Sequence, residues 1–100
     1  MNHTLAQKAD ATVLRVRGAL DALSCSELRP VLDALAAQGQ CAIVVDLSEL
    51  RLIDSSGVGV LVSLYKRVRA NGGHVKFSGV TAQPLVIFKL LRLDRAFEIA

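Results

Sequence analysis

Hydrophobic and polar residues alternate strictly along Thr12-Val13-Leu14-Arg15-Val16-Arg17, with Thr12, Leu14 and Val16 on one face and Val13, Arg15 and Arg17 on the other. That two-residue period predicts a half-buried strand. Residues 4–8 form a weaker strand candidate ahead of it. Gly18-Ala19-Leu20-Asp21 then reads as a turn, and the period changes: Leu28, Val31, Leu32 and Leu35 recur at spacings of three and four. This predicts an amphipathic helix ending at Gly39. Ser24-Cys25-Ser26-Glu27 has the spacing of a capping box at its start. Pro30 conflicts with that start, because its missing N–H removes a bond to the Ser26 carbonyl. Either the first turns are distorted or the regular helix begins later.

Cys41 to Leu47 is apolar on both faces, which predicts a central parallel strand. Residues 48–53 read as a connector whose Leu50, Leu52 and Ile53 pack against the core. A second helical pattern opens at Val58 and carries Val58, Leu61, Val62, Tyr65 and Val68 on one stripe before Asn71-Gly72-Gly73 stops it. His74 to Ser78 is a further strand with Val75 and Phe77 inward, and residues 83–93 a third helix with Pro84 in its first turn. Residues 96–100 give a last short strand. No linker, repeat or low-complexity tract divides the chain, so residues 1–100 are expected to form one domain. The alternation of strands and helices predicts the α/β class, with a single open, mostly parallel sheet and packed helices. Ligands of such sheets meet the carboxyl ends of the strands, where Asp54-Ser55-Ser56-Gly57 is expected to lie.

That element joins an apolar run to a helix. A helix N-terminus presents unpaired N–H groups and the positive end of the helix dipole. Asp54 reads as the N-cap. Phosphorylating Ser55 or Ser56 would add about −1.5 to −2 charges within one turn of that carboxylate, enough to alter any surface that docks there. Spacing alone is met first by an ordinary cap-region hydroxyl. A phosphorylation switch is the alternative reading.

Composition narrows the partners. Hydrophobic residues make up 52% of the 100 positions, aromatics only 4%, and tryptophan is absent. The core is therefore aliphatic, with few rings on which bases could stack. The net charge of +3 comes from basic and acidic residues that are interleaved, apart from Lys66, Arg67 and Arg69 at a predicted helix end. Basic residues there complement the helix dipole, so no direct nucleic-acid partner is expected. Cys25 and Cys41 are too few and too separated for a zinc cluster or a redox CxxC pair, and no metal or cofactor is expected. Cys25, in a first helical turn, is the better candidate for a reactive thiol, although a packed small residue is the simpler role. Met1-Asn2-His3-Thr4 lacks the layout of a signal peptide and no apolar run approaches membrane-spanning length. A cytoplasmic protein without a membrane partner is expected.

Gly18-Ala19-Leu20-Asp21, Ile43-Val44-Val45-Asp46-Leu47-Ser48 and above all Ile53-Asp54-Ser55-Ser56-Gly57-Val58-Gly59-Val60-Leu61 resemble the STAS domains, and within them the bacterial anti-sigma factor antagonists. The likeness resumes at Gly72-Gly73 and at Leu91-Arg92-Leu93-Asp94-Arg95-Ala96-Phe97. The resemblance implies a partner switch. The unphosphorylated antagonist binds an anti-sigma factor that is also a serine kinase, which frees a sigma factor; phosphorylation breaks the complex, and a phosphatase resets it. It implies Ser56 as the phosphoacceptor and Asp21, Asp54, Ser55 and Gly57 as the partner-binding surface, with Gly57 letting a partner backbone approach. Two departures stand out. Ala19 replaces a frequent acidic residue, and the chain ends at Ala100, near where many relatives continue into a last helix. A missing helix would expose apolar surface around Phe97 and Ile99 and permit a homodimer.

Two rival classes remain. An enzyme is disfavoured: the element is not a G-x-S-x-G elbow, there is no P-loop lysine, and His74, at the start of a strand, is expected at the opposite end of the sheet from Ser56. The other rival is a STAS docking module of a lipid transporter or a stressosome-like scaffold, which needs the fold but no phosphoswitch.

Overall fold

A computed structural model describes residues 3–8, 10–38 and 41–99. In chain order the elements are β1 (His3–Gln7), β2 (Thr12–Val16), β3 (Gly18–Leu20), α1 (Ala22–Ala36), β4 (Ala42–Asp46), β5 (Leu50–Ile53), α2 (Ser55–Ala70), β6 (His74–Ser78), α3 (Ala82–Leu90), α4 (Leu93–Ala96) and β7 (Glu98–Ile99). The main sheet has the order β1-β2-β4-β6-β7. Only β1 runs antiparallel to its neighbour; the other pairs are parallel. The apolar run of β4 lies at the centre, as its two-sided hydrophobicity requires.

The alternation in β2 sets the core face. Leu14 and Val16 are fully buried, while Arg15 points to the other side and pairs with Asp46 at 3.1 Å. Ile43, Val45, Val75 and Phe77 continue the buried face across β4 and β6. Against it pack Leu28, Leu32 and Leu35 of α1 and Leu61, Leu64 and Val68 of α2. Arg67 reaches Asp33 at 2.7 Å and the Asn71 side chain donates to the Ala36 carbonyl at 2.8 Å. The two helices therefore run parallel, side by side. Arg69 lies over the Tyr65 ring and donates to its hydroxyl, so two of the three basic residues at this helix end are occupied in structural contacts.

Four local expectations are revised. Gly18–Leu20 is not a turn, and the connector over residues 48–53 is not irregular: they form β3 and β5, a separate two-stranded parallel sheet with Leu20 opposite Ile53. Burial of Leu20, Leu50 and Ile53 drives that pairing. Helix α1 starts earlier than the Ser24 box implied. Asp21 is the N-cap, its carboxylate accepting from the Ser24 N–H at 3.0 Å while Ser24 Oγ accepts from the Asp21 N–H at 2.9 Å. Pro30 is accommodated inside the helix, with Ser26 and Pro30 both on its exposed side and the Leu28–Leu32–Leu35 stripe holding the helix to the core. Finally, Phe97 is 3% exposed rather than uncovered: it stacks on Phe77 at 4.3 Å and meets Phe88 and Tyr65 at 5.6 and 5.0 Å. The apolar surface proposed for a homodimer is therefore not offered by Phe97. The expected helix end at Gly39 and the last residue of the 96–100 strand, Ala100, lie outside the described residues.

Candidate functional site

The small sheet builds the site. β3 and β5 run parallel and end level with each other, and each passes directly into an aspartate that caps a helix: Asp21 for α1, Asp54 for α2. Extended backbone at both caps, with φ of −121° and −111°, lets each carboxylate fold back on its own first turn. Asp54 Oδ1 accepts from the Gly57 N–H at 3.0 Å, and the Asp54 N–H donates to the Leu20 carbonyl at 3.2 Å. Two helix N-termini are thereby fixed side by side. The loop follows β5 of the small sheet rather than a strand of the main one.

Gly57 makes this closeness possible. It is buried, and a Cβ there would stand 2.5 Å from the Leu20 carbonyl oxygen and 2.7 Å from Ile53 Cγ1. On the side where a Cβ would stand, the close backbone approach at this glycine is made by the chain's own Leu20. On the other side Gln83 of α3 takes the place of a neighbouring strand. Its side-chain amide donates to the Ile53 carbonyl at 3.0 Å and accepts from the Ile53 N–H at 2.9 Å. The left-handed backbone of Ala82, φ 56°, costs about 1 kcal/mol and turns Gln83 into that position. Sequence reasoning missed Gln83, since a glutamine in the first turn of a helix carries no signal of a distant backbone partner.

Ser55 and Ser56 are exposed, and because Asp54 does the capping, neither hydroxyl makes a hydrogen bond among the described residues. Beside Ser55 the surface is apolar, whereas Ser56 borders the α1–α2 cleft with Arg29, Asp33 and Arg67. Leu23, Leu52, Leu90 and Leu91 are 72%, 57%, 73% and 53% exposed. One shallow hollow of about 290 Å³ lies between α2 and α3, beside Asp54, Ser55, Leu90 and Leu91, and another of about 280 Å³ runs past Asp21, Leu52 and Asp54. The result is an apolar face carrying two fixed carboxylates and two free hydroxyls. His74 follows the C-terminal end of α2, about 21 Å of helix away from Ser56, so the two form no catalytic pair. No group of three potential metal ligands occurs among the described residues.

The carboxylates also act on the thiol beneath them. Hydrogen bonds from the Ser24 backbone and side chain hold the Asp21 carboxyl below the usual range. Burial pushes the Cys25 thiol up, and the Asp54 and Asp21 charges push it further, with Arg29 opposing. Cys25 thus takes the simpler role of a packed small residue, and the thiolate, which is the reactive form, is disfavoured there. In the native protein at neutral pH, Ellman's reagent should therefore modify the half-buried Cys41 before Cys25, and preferential labelling of Cys25, located by peptide mapping, would contradict this account.

A family model described as "Mlab, STAS domain" matches residues 3–99. The chain belongs to the STAS domain family. It is 27% identical over 100 residues to the anti-sigma-B factor antagonist of Bacillus subtilis, an alignment covering 100% of this chain and 91% of the relative. An anti-sigma factor antagonist from Mycobacterium paratuberculosis shares the fold at TM-score 0.87 with 21% identity, covering 98% of this chain and 83% of that one. The Bacillus cell fate determinant SpoIIAA in its phosphorylated form superposes at TM-score 0.78 with 22% identity, covering 99% and 91% of the two chains. Among the described residues no helix of this STAS domain is long and apolar enough to cross a membrane.

Proposed function

We propose that this STAS domain is an anti-sigma factor antagonist of the cytoplasm, whose binding to an anti-sigma factor serine kinase is switched off by phosphorylation of Ser56. The observation that carries the reading is the pair of aspartate-capped helix ends beside two unengaged serine hydroxyls on an exposed apolar face. A fold that needed these serines for capping would use them, and this one uses Asp54. The names of the relatives support the same reading. In the switching step the γ-phosphoryl of ATP passes to Ser56 Oγ, ADP leaves, and the hydroxyl proton is taken up by the kinase. A phosphatase hydrolyses the ester and restores the binding form. Asp21, Asp54 and Ser55 shape the contact surface, whereas Gly57 acts from inside by keeping the two helix ends together.

Ser56 is taken over Ser55 as acceptor because the resemblance to the family's Asp-Ser-Ser-Gly element implies its second serine. With the cognate kinase and ATP, Ser55→Ala should still take up one phosphate and Ser56→Ala none. Site mapping that found phosphate on Ser55 alone would reverse the assignment. The second reading is a docking module of a lipid transporter or stressosome-like scaffold, which uses the same fold and face without a phosphoswitch. It predicts a partner whose binding is indifferent to charge at Ser56.

A further inference from the structure

The cleft between α1 and α2 has a volume of about 270 Å³ and is bordered by Ser55, Ser56 and Gly59 at one end, Asp33 and Arg67 at the other, and Arg29 between. Because the helices are parallel and start level, depths along them can be compared. At 1.5 Å per residue from the caps, Ser56 lies about 3 Å in, Arg29 about 12 Å and Arg67 about 20 Å. Helical side chains lean toward the N-terminus, so Arg29 extends back toward Ser56. Arg67 is spent on Asp33 at 2.7 Å and lies too deep. Arg29 forms no ion pair among the described residues.

Gly59 keeps the path between them clear. It is exposed, and a Cβ there would meet nothing within 4 Å, so packing does not require glycine. A glycine inside a helix nevertheless costs about 1 kcal/mol relative to alanine. The residue is better explained by the space it leaves. We propose that Arg29 receives the phosphoryl group of phosphorylated Ser56 across the gap at Gly59, so that the switched-off protein clamps its own phosphate between α1 and α2. The clamp rests on Ser56 being the phosphoacceptor. A guanidinium presents paired donors that match phosphate oxygens, and the α2 N-terminus adds to the attraction. The other charges facing the group are the Asp54 and Asp21 carboxylates at the mouth, which oppose it, and the Asp33–Arg67 pair further down.

The test uses the full chain with phosphoserine genetically encoded at position 56 and follows its second ionisation by phosphorus NMR. A neighbouring cation favours the dianion, so the apparent pKa should be lower in the otherwise unaltered protein than in Arg29→Gln by about half a unit or more. Arg29→Lys should recover part of the shift, and Arg67→Gln should leave it in place. Equal values with and without Arg29, or an equal change on removing Arg67, would overturn the clamp. Encoded phosphoserine makes this outcome independent of any kinase. Absence of phosphate on Ser56 in protein isolated from its own cells would instead overturn the reading under which the clamp operates.

Discussion

Ser56→Asp should lose affinity for the anti-sigma kinase by about 100-fold or more, near 3 kcal/mol, while Ser56→Ala stays within about threefold of the unaltered protein. Alanine removes a hydroxyl that bonds nothing in the fold and sits in a helical turn where alanine is favoured. Aspartate places a charge at the mouth of the α1–α2 cleft, on the first turn of α2 beside the Asp54 cap and near the Asp21 cap of α1. A partner closing on that face must strip water from the new charge. Ser56→Asn is the control for size, and it should behave like alanine. Calorimetric titration of the purified pair reads all three, and equal binding by the alanine and aspartate variants would remove the charge mechanism.

Gly57→Ala should destabilise the protein by about 2 kcal/mol, lowering Tm by roughly 10 °C, whereas Gly59→Ala, two residues on, should raise it. Both changes gain helix propensity of about 1 kcal/mol. At Gly59 nothing opposes the gain. At Gly57 the new methyl lands 2.5 Å from a backbone oxygen that already accepts from the Asp54 N–H, so relief requires parting β3 from the start of α2. The loss should therefore extend to function, since the same movement separates the Asp21 and Asp54 ends. Thermal melts of the two variants decide the matter; equal or opposite shifts would mean that the helix ends are not held together through Gly57.

The contrast between these glycines shows what could be read from the chain. The half-buried β2, the apolar β4 and the second helix with its Asp54 cap follow from local periodicity and capping chemistry, so they are legible. The partnership of Leu20 with Ile53 is not, because strands of three and four residues contain too little alternation to announce themselves and their pairing spans more than thirty positions. With that pairing hidden, Gly18–Leu20 looks like a turn, the cap of α1 slides from Asp21 to Ser24, and the close approach of Leu20 to Gly57 goes unseen. Likewise the aromatic cluster that buries Phe97 unites Tyr65, Phe77 and Phe88 from three separate elements. Arg29 is legible only as an exposed helical arginine until α1 and α2 are seen to run parallel.

The central claim is tested most directly by capture from native cell lysate, using this chain and the chain with encoded phosphoserine at position 56 as baits, with captured proteins identified by mass spectrometry. The account predicts that an ATP-binding anti-sigma kinase is recovered by the unphosphorylated bait and not by the phosphorylated one. Recovery of transporter components by both baits alike would contradict it and leave the docking module as the function of this face.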